Sequence, residues 1–376
     1  MNKACARQFH RALSVGREFP ITHRRAHHHA KLTIKGHMLR VGVFSESAIT
    51  FDGHGVHSAF LECRNLLRET IGVQLVDPWD LRPSDILHVH SAGPGALAML
   101  LSHTGPKVAS AHLTEDSFLG SIEYASHFMP TIARYLRFFY EKADLVLAVS
   151  AGTKTYLEQQ LHVSKPIEVM PNTINASAIS ELQGRRNQLR AKFSWSPQRP
   201  VILGVGQVQP RKGIDDFILV AKAMPAADFV WVGSFLFGPL SADRRRLQGL
   251  IQDAPVNLLF TGKLARPAVY EHYTAADIFL LPSHQETFGL AVLEASTAGL
   301  PLILRDLPSY RSIFGNSYIS VSDEDYTSAV SALLDDHERF DLYSKRAFAV
   351  AEGYSSKKHA TELVSMYSLA RQLSCR

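Results

Sequence analysis

Short apolar runs recur along this chain, each of a length suited to a buried strand and each followed by a stretch of helical composition. In the first half they are residues 39–45, 73–76, 86–90, 107–111, 145–150 and 167–170. A polar stretch at 176–199 breaks the pattern. The alternation then restarts with 201–206, 229–233, 256–260, 278–281 and 301–304. Strands alternating with helices predict mostly parallel, doubly wound sheets. Two such series predict an α/β chain with two Rossmann-like domains joined near 176–198. The expected division is a basic, disordered leader at 1–37, a first domain at 38–185 and a second at 186–355. A terminal helix at 356–376 is expected to return to the first domain.

The 376 residues suffice for two domains of ordinary size. The net charge of +5 is misleading. Residues 1–40 hold nine Lys/Arg against the single acid Glu18, so the remainder of the chain is net negative. No nucleic-acid partner is expected. The leader lacks a continuous apolar segment and makes a poor secretory signal. Its Arg-rich, acid-poor composition leaves open an organelle transit peptide, a disordered tail, or a start placed upstream of Met38. The run His27-His28-His29 lacks a packed partner that would make it a metal site. No run of eighteen apolar residues is present, so a membrane-spanning helix is not expected. Cys5, Cys63 and Cys375 are far apart and odd in number, which fits a reducing cytoplasm.

Chemistry concentrates in two loops. The strand at 278–281 leads into Pro282-Ser283-His284-Gln285-Glu286-Thr287-Phe288-Gly289, and then into a helix that carries Glu294 and stops at Gly299. In open α/β sheets the loop beyond a strand's carboxyl end is where ligands bind. A helix start there offers free N–H groups and a partial positive charge suited to phosphate. Glu286 lies at that mouth and Glu294 two turns along the helix, so they can reach different parts of one ligand. The second loop, Gly206 to Gly213, follows the strand at 201–206 and carries the adjacent cations Arg211 and Lys212. Arg as a fork and Lys as a point charge suit a diphosphate, though the pair alone could be a solvated turn. A nucleotide sugar has the matching layout, with sugar hydroxyls, diphosphate and ribose in series.

These residues resemble retaining glycosyltransferases of family four, which have the GT-B fold: two Rossmann-like domains facing across a cleft. Glu286 and Glu294 match the family's E-x7-E motif, and Arg211 and Lys212 its pyrophosphate-gripping pair. Met170-Pro171-Asn172-Thr173 is similar to its Pro-Asn-Gly segment, and Ala298-Gly299-Leu300-Pro301 to its small-Gly-x-Pro turn. The resemblance covers about residues 38–376. It implies that Arg211 and Lys212 stabilise the departing diphosphate, assisted by the N–H groups of Phe288, Gly289 and Leu290. Thr287 and Asn172 join these as substrate-binding positions. Glu286 would take donor-sugar hydroxyls and Glu294 the ribose. Gly53 and Gly55 would let backbone approach the distal phosphate, and His112 would lie near the anomeric centre. The family also implies a metal-independent reaction with no cofactor beyond the UDP-sugar donor. In keeping with this, Asp323-Glu324-Asp325 reads as a solvated loop.

Two departures stand out: Leu304 to Tyr310 replaces a Gly-Gly-x-Glu-like segment, and Gly53 and Gly55 are not adjacent. Both resemble a Gram-positive subgroup that adds galactose or glucose to glucosyl-diacylglycerol. That subgroup implies a glycolipid acceptor and a cytoplasmic protein peripheral at the inner face of the cell membrane. The segment 129–142, rich in Arg and aromatics, could lie on anionic headgroups, or simply pack Ile132, Leu136 and Phe139 into the core. Other residues keep rival readings. His112 could be a core histidine, Glu115 or Asp116 the acceptor's base, and His54 and His57 acceptor-pocket or surface groups. Other acceptors (a polysaccharide or a protein) and a catalytically silent partner subunit also remain as readings. A dinucleotide oxidoreductase is disfavoured, because Ser58 stands where a third glycine would be needed.

Overall fold

The computed structural model describes residues 38–48, 55–77, 84–322 and 325–375. The leader, Gly53, His54 and the acidic residues Asp323 and Glu324 lie outside them. The first domain is built on strands β1 (Leu39–Phe44), β2 (Val73–Val76), β3 (Ile86–Val89), β4 (Lys107–Ala111), β5 (Leu145–Ala148) and β6 (Ile167–Val169). They form one parallel sheet in the order β2-β1-β3-β4-β5-β6. The second is built on β7 (Val201–Val205), β8 (Asp228–Val232), β9 (Leu258–Gly262), β10 (Ile278–Leu281), β11 (Leu302–Arg305) and β12 (Ile319–Val321). Its order is β12-β11-β10-β7-β8-β9. Counted from its own first strand this is 3-2-1-4-5-6 reversed in direction only, the order of a dinucleotide-binding sheet. Chain order turns back between β7 and β10, which are hydrogen-bonded neighbours, and between β1 and β3 in the first sheet. Those are the points where crevices open at strand ends.

The central strands β3, β5 and β10 are buried at every position, as strands covered by helices on both faces must be. Beneath the second domain's crevice lies Trp231, fully buried and packed on Phe217 and on the backbone of Gly204. Its indole N–H donates to the Gly206 carbonyl at 3.0 Å, anchoring the start of the cationic loop.

The terminal helix Ser356–Ser374 packs on the first sheet. Leu363, Val364, Tyr367 and Ala370 are buried in one cluster with Val41, Val43, Ile86 and Leu145. The two chain crossings between domains run side by side: Ile174 pairs with Ser355, and the Ser356 N–H donates to the Ile174 carbonyl. The polar stretch at 176–199 is not an open linker. It forms the short helices Ser177–Ser180 and Arg186–Lys192. Arg190, 3% exposed, donates to the Ala275, Ser196 and Arg199 carbonyls and pairs with Asp277. Its polarity marks a satisfied buried cation.

Candidate active site

The loops beyond β7 and β10 sit together because their strands are neighbours, and a close backbone contact locks them. Gly213 has φ +71°, and a Cβ there would lie 2.2 Å from the Pro282 carbonyl oxygen. Only glycine allows this approach. The His284 N–H also donates to the Arg211 carbonyl at 2.8 Å. The result is a direct ion pair between Lys212 Nζ and the Glu286 carboxylate, with both side chains little exposed (12% and 9%). Burial pulls the Lys212 ammonium below its ordinary pKa, and the adjoining Glu286 charge opposes that shift. The Ser283 hydroxyl lies 3.4 Å from the same carboxylate.

Eight residues on, Glu294 lines the same crevice from the helix Leu290–Thr297, whose first turn follows Gly289 in the left-handed region. It accepts from the Tyr273 hydroxyl at 3.1 Å and lies 3.4 Å from Arg266. Burial raises its pKa above the usual carboxylate range. Arg266 also pairs at 2.6 Å with Glu62 of the first domain, whose carboxylate takes the Asn175 N–H at 2.8 Å. One guanidinium thus holds a carboxylate from each domain. The sequence reading missed Arg266 and Glu62, because neither belongs to a local pattern and their partners are distant in the chain.

A cavity of about 600 Å³ opens between the domains. His112, Asn172, Gly55, Thr287 and Leu290 line it, together with Arg211, Lys212, Glu286 and Glu294. Phe288 and Gly289 also border it, but the Phe288 ring is buried edge-on against Tyr354, so its backbone is what a ligand can reach. The Thr287 hydroxyl donates to the His112 carbonyl at 3.2 Å, and the Ser150 hydroxyl to the Thr287 carbonyl at 3.1 Å. The loop beyond β10 is therefore clasped by the first domain. Gly53 falls outside the described residues.

His112 ends β4 and is both cavity-lining and stacked on a second histidine. Its Nε2 lies 3.1 Å from His90 Nδ1, ring over ring. The sequence reading missed His88 and His90 as a cluster; their i, i+2 spacing at the end of β3, which puts both side chains on one face, is the pattern that could have shown it. Burial lowers the pKa of both, that of His88 to about 3. His88 is bonded at 2.9 Å to Tyr367 of the terminal helix and at 2.8 Å to Ser110. Cys63 lies within reach of His88 and His90. Because the His88 nitrogens are engaged and burial pushes the Cys63 thiol up to about 12, we read the cluster as a structural tie.

Glu115 and Asp116 do not line this cavity. Glu115 is half-buried in the turn Glu115–Ser117, and Asp116 borders a separate, more open recess. His57 bonds Ser47 at 3.3 Å. Asp325 caps the helix Tyr326–Asp335 through the Ser328 N–H.

The chain matches two family models, Glycosyltransferase Family 4 over residues 30–178 and Glycosyl transferases group 1 over 185–348. It is 31% identical to the alpha-galactosylglucosyldiacylglycerol synthase of Streptococcus pneumoniae, over 74% of this chain and 76% of that one. The chain belongs to the family 4 glycosyltransferases. This glycosyltransferase is also 29% identical to the processive diacylglycerol alpha-glucosyltransferase of Acholeplasma laidlawii, covering 72% and 80% of the two chains. Among solved structures it is similar in fold to sucrose-phosphate synthase from Thermosynechococcus elongatus. The TM-score is 0.71 at 17% identity, covering 88% of this chain and 98% of that one. Anabaena HepE, solved in complex with UDP and glucose, gives 0.66 at 17% identity, covering 88% and 100%. The glycosyltransferase therefore has the GT-B fold that its motifs implied.

Proposed function

We propose that the enzyme moves a hexose, galactose or glucose, from a UDP-hexose to a diacylglycerol-type glycolipid with retention of configuration. The observation that carries the reading is the Lys212–Glu286 pair beside Arg211, at the crevice where β7 and β10 part, with Glu294 lining the same cavity. The diphosphate lies on Arg211 and Lys212. Lys212 has three donors, so it can keep Glu286 and still reach a phosphate oxygen. Glu286 takes sugar hydroxyls and Glu294 the ribose hydroxyls. As the anomeric C–O bond breaks, negative charge grows on the departing UDP, where the two cations lower its energy. The acceptor hydroxyl attacks the same face and its proton passes to the leaving phosphate, so no protein nucleophile or metal is needed. The lipid acceptor is supported by the names of the Streptococcus and Acholeplasma relatives.

Approach to the membrane falls to the first domain. No helix among the described residues is long and apolar enough to cross a bilayer. The helix Met129–Tyr140 buries Leu136, Phe139 and Tyr140 and exposes Arg134, Arg137 and Phe138, with Tyr124 and Phe128 exposed just before it. Cations beside exposed rings suit the headgroup region of an anionic inner leaflet. The test pairs UDP-glucose and UDP-galactose, separately, with vesicles of diacylglycerol and of glucosyl-diacylglycerol. Turnover with one pair, abolished in Glu286→Ala and Lys212→Ala, is expected. No turnover on any lipid, or turnover unchanged in both variants, would overturn the reading. Flotation with anionic liposomes, weakened by Arg137→Glu, checks the membrane surface.

A further inference from the structure

The segment from residue 113 to residue 128 leaves β4 and reaches across to the second domain. Residues 120–123 form a strap there. The Glu123 N–H donates to the Leu240 carbonyl at 2.9 Å, and the Ala242 N–H to the Ser121 carbonyl at 3.1 Å. These make an antiparallel bridge between Ile122 and Ser241. The Glu123 carboxylate takes the Asp243 N–H at 2.8 Å. Gly120 has φ +64°, and a Cβ there would stand 3.2 Å from both the Cβ and the backbone N of Arg211. The strap therefore runs directly over the residue read as a phosphate grip.

The Arg211 guanidinium is held entirely by neutral oxygens. Its Nε–H is shared between the Ser121 hydroxyl at 2.7 Å and Gln209 Oε1 at 3.0 Å. Its Nη1 donates to the carbonyl and the side-chain oxygen of Gln285 at 3.3 and 3.2 Å. Nη2 has no protein hydrogen-bond partner among the described residues. Lys212 spends part of its charge on Glu286, whereas Arg211 has no carboxylate within ion-pair distance among those residues. Ser121 is 4% exposed, and its own hydroxyl proton has the Ser117 carbonyl at 2.8 Å as its nearer acceptor and Gln209 Oε1 at 3.2 Å as the other. Its lone pairs are thus turned toward Arg211. Fixing Nε and Nη1 removes rotamers that a free arginine would sample and leaves one arm of the fork for an anion.

We propose that Ser121, a first-domain residue, is a positioning residue for Arg211, so that the phosphate grip of the second domain is complete only when the strap is seated. The proposal rests on the reading of Arg211 as a diphosphate ligand. In Ser121→Ala the Nε–H keeps only the longer Gln209 bond. The expected results are a UDP dissociation constant raised about threefold to tenfold, and a donor kcat/KM lowered about tenfold to thirtyfold, the loss of one hydrogen bond to a charged group. Ser121→Thr, which keeps the hydroxyl, restores both. The thermal midpoint of Ser121→Ala stays within about two degrees of wild type, since the bridge at Ile122 is main-chain. In an Arg211→Ala background Ser121→Ala has no further effect. Calorimetric titration of the full-length protein with UDP, together with donor steady-state kinetics, reads all of these. Wild-type UDP affinity and kcat/KM in Ser121→Ala, or losses that add in the double variant, would overturn the proposal. A wild-type protein that does not bind UDP would overturn the donor reading and this proposal with it.

Discussion

Gly213 is the residue through which a single methyl group can separate the two loops of the candidate site. Two costs arise in Gly213→Ala. The first is conformational: φ +71° is left-handed, which costs an L-residue about 1–2 kcal/mol. The second is steric. The new Cβ would stand 2.2 Å from the Pro282 carbonyl oxygen, and real Cβ atoms essentially never come closer than 3.0 Å. The cationic loop must therefore retreat from the end of β10 by nearly an ångström, at an overpacking cost of about 1–3 kcal/mol. That retreat pulls Lys212 from Glu286 and the Arg211 carbonyl from the His284 N–H. Misplacement on this scale costs about a hundredfold in rate. Urea unfolding should show a loss of about 2–5 kcal/mol, and donor kcat/KM should fall about a hundredfold. Gly184 supplies the control: its φ is +80° but nothing lies within 4 Å of its missing Cβ. Gly184→Ala should show the conformational cost alone and keep full activity. A folded Gly213→Ala with kcat/KM within threefold of wild type would refute the reasoning.

Arg266→Ala leaves the buried Glu62 and Glu294 carboxylates without their shared cation and should cost about 3–5 kcal/mol. Denaturant unfolding reads this, with a raised donor KM beside it. In Glu294→Gln a carboxylate whose folded pKa is raised by burial is replaced by a neutral group. The cost of such a carboxylate grows as pH rises from 4.5 through its raised folded pKa, and disappears as pH falls back below 4.5. The variant's thermal midpoint relative to wild type should therefore be most favourable near pH 8 and lose that advantage on acidification, while its donor KM rises. His88 behaves oppositely. Its folded pKa is lowered to about 3 by burial, so the stability it supports is present above 6.5 and lost as pH falls from 6.5 toward 3. His88→Gln should remove up to about 1.4 kcal/mol per pH unit from the slope of urea stability in that window. An unchanged slope would show that His88 is not held neutral in the fold.

Most of the architecture was readable because parallel strands buried on both faces advertise themselves as unbroken apolar runs. β10 and β5 are of this kind. β12 escaped because it has only three residues, with an exposed serine in the middle. The paired loops were readable for a related reason: Arg211, Lys212 and Glu286 sit in short segments whose spacing is local. What closes the site was not readable. The ties Arg266–Glu62, Ser121–Arg211 and Thr287–His112 each join residues far apart in the chain. Serine, threonine and glutamate at such places look like ordinary surface residues until the fold brings their partners. Arg190 shows the same limit from the other side, since it lies in the polar stretch that broke the strand–helix pattern and the fold supplied it with carbonyls.

The terminal helix has a consequence for synthesis. The first sheet is translated by residue 169, yet part of its apolar cover is Leu363, Val364, Tyr367 and Ala370. Tyr367 also satisfies the buried His88. While the second domain is being made, the β1 and β3 face of the first stands partly uncovered, and it stays so until residue 370 has been delivered. The first domain is thus begun before the second and completed after it. A stop codon before residue 363 would spare every residue of the candidate site and still leave the first domain with an open, sticky core.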